Sequence, residues 1–153
     1  MTLLLAFLIG FFTGLRTFTP VAVTAWAVRL GWIKLTYPLS LIGSVPAAVI
    51  LTLFALGELW FDKSPKASDR TSAPGLIGRF LMGALAGACV AVAEGQGALI
   101  GAGLGAAGGI VGAFAGYHAR KGIVNSLGVR DIYVALTEDF IAIAGCWWIV
   151  SHL

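Results

Sequence analysis

Five apolar stretches of about 20 residues or more divide this chain, and their length is what most restricts its fold. At ~1.5 Å per residue, a helix of that length crosses the ~30 Å hydrocarbon layer of a bilayer. The apolar residues fill each stretch instead of repeating along one stripe, so they describe membrane spans and not the amphipathic helices of a water-soluble core. Open strand edges could not satisfy their backbone groups in lipid, which leaves helices. The expected fold is therefore all-α: a polytopic transmembrane helical bundle of about five spans. A single integral membrane domain is expected over 1–153, with spans near 3–31, 39–61, 75–93, 97–118 and 132–150 and a cytoplasmic loop at 62–74. Composition agrees: 59% of the 153 residues are hydrophobic and 11% charged, against about half and a quarter in soluble domains. No basic region precedes Leu3 and no small-residue cleavage pattern follows the first stretch, so the first span is expected to be retained.

The first stretch, Leu3 to Gly31, is longer than the bilayer requires and holds Gly14-Leu15-Arg16-Thr17-Phe18-Thr19-Pro20 inside it. An arginine within a span costs at least a few kcal/mol unless it faces a partner or water. Pro20 removes a backbone donor and clashes with the preceding turn. The expectation is a span broken at Arg16, with a simple kink as the alternative. Pro46 is expected to kink the second span lightly. Spans three and four carry Gly83 and Gly87, then Gly97, Gly101, Gly105 and Gly109, then Gly112 and Gly116. Spacing of four places glycines on one helix face, where backbones can approach closely. The pattern reads as a packing seam able to support a homo-oligomer such as a dimer; a glycine-lined pore is the other reading. Trp147 and Trp148 fit an interfacial aromatic belt.

The formal net charge of +3 does not point to nucleic acid, because the basic residues are spread over connections between spans instead of forming a patch. With five spans, one side collects Lys63, Lys66, Arg70, Arg79, Arg120, Lys121 and Arg130, and the other only Arg29 and Lys34. Basic connections stay in the cytoplasm. A cytoplasmic N-terminus and a C-terminus on the outer side follow as expectations. Cys89 and Cys146 lie in apolar stretches without metal-ligand spacing and read as core residues.

Glu58 and Asp62 are four apart and share a face if the helix continues; Glu138 and Asp139 enter from the last span at a similar depth, with Arg16 as the nearest deep counter-charge. Carboxylates converging on an arginine, with His118 and Asn125 at the same surface, could bind a cation, relay protons or hold a polar headgroup. The candidates for binding a substrate or ion are Arg16, Glu58, Asp62, Lys63, His118, Asn125, Glu138 and Asp139. A structural network fixing helix register is the competing reading. No catalytic residue is assigned, no cofactor is expected, and metal binding is left open. A short echo is also present: Gly10-Phe-Phe12-Thr-Gly14 against Gly112-Ala-Phe114-Ala-Gly116, and Ala55-Leu56-Gly-Glu58 against Ala135-Leu136-Thr-Glu138. It suggests an inverted repeat, a design found in transporters.

At Gly14-Leu15-Arg16 with Pro20, Glu58 with Asp62-Lys63 and Pro65, His118, Lys121, Asn125-Ser126 and Glu138-Asp139, the chain resembles a bacterial multi-pass membrane family known as domain of unknown function 4126. The resemblance covers most of the chain and implies an integral membrane protein, without an activity. Three functional classes follow: a transporter or permease-like protein for an ion or small polar solute; a membrane enzyme or binding protein acting on a lipid headgroup at the cytoplasmic face; and a structural scaffold. No Ser-His-Asp order, HExxH pattern or nucleotide loop supports the enzyme.

Overall fold

The computed structural model describes residues 1–61, 72–128 and 130–153. Among these residues the chain is helical with no strand: α1 (Thr2–Leu15), α2 (Thr19–Arg29), a 3-10 turn (Leu39–Gly43), α3 (Val45–Phe61), α4 (Ala73–Ala93), α5 (Ala98–Leu127) and α6 (Asp131–Ser151). Three helices, α4, α5 and α6, are long and apolar enough to cross a membrane, whereas α1 and α3 are shorter apolar helices. At 1.5 Å per residue, α1 and α2 reach only about 21 and 16 Å.

The first stretch is two helices separated by Arg16–Phe18, and the chain reverses between them. Phe12 meets Gly145 and Arg16 meets Asp139, so α1 runs against α6. Trp32, just beyond α2, then stacks edge-on against Trp147 with ring centroids 4.9 Å apart, so α2 runs with α6. The partners on α3 agree: Glu58 lies at Thr17 and Phe18, Thr52 at Trp26, and Gly43 at Val28, making α2 and α3 antiparallel. A broken crossing was the expectation; the structure has a hairpin of half-length helices. Pro20 does not kink a helix. It occupies the first turn of α2, where a missing N–H costs nothing. Pro46 likewise sits in the first turn of α3.

The reversal changes the parity of the chain. Thr2 Oγ1 donates to Glu94 Oε2 at 3.4 Å, so the N-terminus lies at the α4–α5 turn. The C-terminal residue Leu153 packs on the cluster that holds Leu5. Both termini share one end of the molecule, in place of the opposite ends that a crossing first span requires. The other end carries the end of α3, the start of α4 and the α5–α6 connection, with the Arg16 break facing it from inside the bundle.

Helices α1, α4 and α5 meet backbone to backbone. A Cβ on Gly10 would fall on the Gly105 carbonyl, one on Gly105 on the Gly83 carbonyl, and one on Gly112 on the Phe11 carbonyl. These faces, on which a homo-oligomer was expected to rest, are filled by the chain's own helices. The contacts also fix direction: Gly10 faces Gly105 while Gly14 faces Gly109 and Ala113, so α1 and α5 are parallel. Helices α3 and α6 are antiparallel. The two halves of the sequence echo are therefore not related by one inversion.

Helix α5 runs nine residues past His118 to Leu127, through a segment read from sequence as a polar connection. That segment has no proline, and Gly128, in the left-handed conformation at φ 59°, ends the helix where a side chain would be strained. Toward the terminal end, Leu5, Ile9, Val21, Ala25, Cys89, Val90, Cys146 and Ile149 form the apolar core. Cys89 and Cys146 are buried and unpaired.

Candidate functional site at the hairpin tip

A helix that stops inside an apolar bundle leaves carbonyls at the end of its first half and amides at the start of its second. In lipid each needs a partner. Here charged side chains from two other helices supply them. Arg79 on α4 donates from Nε to the Gly14 carbonyl at 2.9 Å and from Nη1 to the Gly75 carbonyl at 3.0 Å. Glu58 on α3 accepts the Thr17 amide on Oε1 at 2.7 Å and the Phe18 amide on Oε2 at 2.9 Å. The Arg16 amide still bonds the Phe12 carbonyl, at 2.9 Å.

The signs also match the helix dipoles. The negative C-terminal end of α1 faces a guanidinium, and the positive N-terminal end of α2 faces a carboxylate, each worth up to about 2 kcal/mol in a partly buried site. The Arg16 side chain, 1% exposed, pairs with Asp139 on α6. Glu58 gives both oxygens to backbone amides and is not the counter-ion of Arg16. Asp139 lies twelve residues before Ser151, about 18 Å from that helix end, so the cluster sits inside the span and closer to the break end.

Glu138, also buried, points elsewhere. Its Oε2 is 3.8 Å from Arg120 Nη1, and Arg120 is held by Asp131 through an Nε–Oδ1 bond of 2.7 Å and a second, shorter bond to Oδ2. The two adjacent acids thus join different networks: Asp139 the hairpin tip, Glu138 the α5–α6 gap. His118 and Asn125 are exposed on the extension of α5 and are not part of the buried cluster. Asp62 and Lys63 lie outside the described residues, as does most of the expected 62–74 loop. Among the described residues no three His, Cys, Asp or Glu side chains come close enough to hold a metal ion.

Sequence reasoning missed Arg79 and Arg120, which it counted as connection charges. Arg79 is 7% exposed and sits nearly two turns inside α4. Its signal was available: a lone arginine in an apolar run, between Gly78 and Gly83.

Buried counter-charges, a helix break stitched to its neighbours and spans of membrane-crossing length define the make-up of an all-helical membrane protein. The chain belongs to the family described as Domain of unknown function (DUF4126), whose model matches residues 3–152. Neither the curated proteins nor the solved structures contain a match.

Proposed function

We propose that this protein is a small permease-like protein of the bacterial inner membrane that binds an ion or small polar solute, most suitably an anion, at the tip of the α1–α2 hairpin. The observation that carries this reading is the Glu58 carboxylate on the Thr17 and Phe18 amides. An internal anion occupies the positive end of a half-helix, with Arg16 and Arg79 beside it. Discontinuous helices whose N-terminal ends face anionic groups near the midplane are a recurring transporter device. A solute anion would exchange with Glu58.

In this reading α1–α2 enters and leaves the membrane on one side, and α3, α4, α5 and α6 cross it. The break end carries Arg79, Arg120, Lys121 and Arg130 and is assigned to the cytoplasm; Arg29, Lys34 and both termini then face the periplasm. The N-terminus thus takes the side opposite to that expected from five crossings.

The test is thermal unfolding of purified protein with acetate, inorganic phosphate or potassium, together with anion flux into liposomes. The anions should raise the melting temperature of wild type, and raise it further in Glu58→Gln, whose amide competes less well for the two N–H groups. Potassium should not. Absence of any anion-dependent shift, together with absent flux, removes the reading.

A further inference from the structure

Consecutive helices joined by a short connection usually pack along their length, yet α5 and α6 splay apart. The gap between them is an apolar groove of about 500 Å³ floored by Phe11 and Leu15 and walled by Ile123, Val134 and Ile141. Arg120 lines this groove and also lines a polar recess of about 310 Å³ with Arg130 and Asp131. Apolar groove and polar recess therefore meet at one guanidinium. From the Arg120 level to that of Phe11, opposite Gly112, is eight residues of α5, or about 12 Å.

The groove opens sideways, since Ile123 and Ile141 are exposed on its rim. Its occupant comes from what lies beside the helices. At the recess Arg120 is matched by Asp131 and Glu138, whereas Arg130 lines the same recess at an exposed position outside those ion pairs. Basic recesses between membrane helices on the cytoplasmic side are suited to anionic headgroups. We infer that the α5–α6 groove holds one acyl chain of an anionic bilayer phospholipid, with its phosphate at Arg130 and Arg120. The head lies at the end of the molecule and the chain runs toward its middle, which is the orientation of a lipid in the adjacent leaflet. The site is separate from the hairpin tip and does not depend on transport there.

The test uses detergent-purified full-length protein, native mass spectrometry and thermal unfolding. The probes are dioleoyl phosphatidylglycerol, dioleoyl phosphatidylcholine and inorganic phosphate. Phosphatidylglycerol should be retained on the protein and raise its melting temperature more than phosphatidylcholine. Two variants separate head from chain: Arg130→Gln, at an exposed position, removes headgroup charge, and Ala119→Phe fills the groove from its rim. Each should reduce phosphatidylglycerol retention at least several-fold while leaving the lipid-free melting temperature near wild type. Equal retention of phosphatidylcholine overturns the headgroup assignment. Full retention by Ala119→Phe overturns the groove, and an equal shift with inorganic phosphate alone shows a bare anion site. A lipid-free dimer abolished by Ala119→Phe would give the groove to a second copy instead.

Discussion

The carboxylate of Glu58 and the amide of Thr17 are 2.7 Å apart, which ties the last turn of α3 to the point where the first helix breaks. The hairpin cannot straighten into a continuous crossing without giving up that bond. Forty residues of sequence separate the two partners, so tertiary structure, and not local propensity, holds the reversal.

Removing the acceptor should therefore cost more than neutralising it. Glu58→Leu leaves two buried N–H groups unpaired and should destabilise by about 3 kcal/mol or more, whereas Glu58→Gln retains one acceptor and should cost about 1–2 kcal/mol. Unfolding in mixed micelles measures both. Equal losses would mean that the amides find other partners.

Arg16 and Asp139 are predicted to be energetically coupled. Arg16→Gln and Asp139→Asn should each cost about 3–5 kcal/mol, because each strands the opposite charge, and the double variant should cost clearly less than their sum. A double-mutant cycle reads the coupling directly, and strict additivity would break the pair.

Two glycines on α5 offer an internally controlled comparison. A Cβ at Gly105 would collide with Gly83 and Gly87 backbone, while one at Gly103 meets nothing within 4 Å. Gly103→Ala should be neutral or stabilising by up to about 1 kcal/mol through helix propensity. Gly105→Ala should strongly lower the melting temperature. Similar behaviour in both would show that the three-helix contact is looser than drawn.

Thiol labelling tests the parity of the chain. With Cys89 and Cys146 replaced by alanine, single cysteines at Thr2 and His152 should react alike with a membrane-impermeant reagent on intact cells, and a cysteine at Asn125 should behave oppositely. If the cysteines at Thr2 and Asn125 label together, the hairpin is a crossing after all.

The helices were legible because hydrophobic runs have ends: the last span was read as 132–150 and the helix is Asp131–Ser151. The break at Arg16 was legible because charge is costly in an apolar run. The direction taken after it was not, since a broken crossing and a reversal use the same residues, and only partners on α3 and α6 separate them. Arg79 escaped because a charge near a span end reads equally well as a connection. Asp139 and Glu138 could not be told apart in sequence; adjacent positions on a helix point about 100° apart, which sends one to the tip and the other to the groove.

The separation of Arg16 from Asp139 also bears on how the protein is made. Synthesis delivers Arg16 long before Asp139, so for that interval the tip guanidinium waits without its carboxylate. The parallel glycine contact of α1 must likewise await α5. A nascent chain truncated before α6 should therefore insert poorly or be cleared by membrane proteases, and the arrival of α6 becomes the step that locks the hairpin tip.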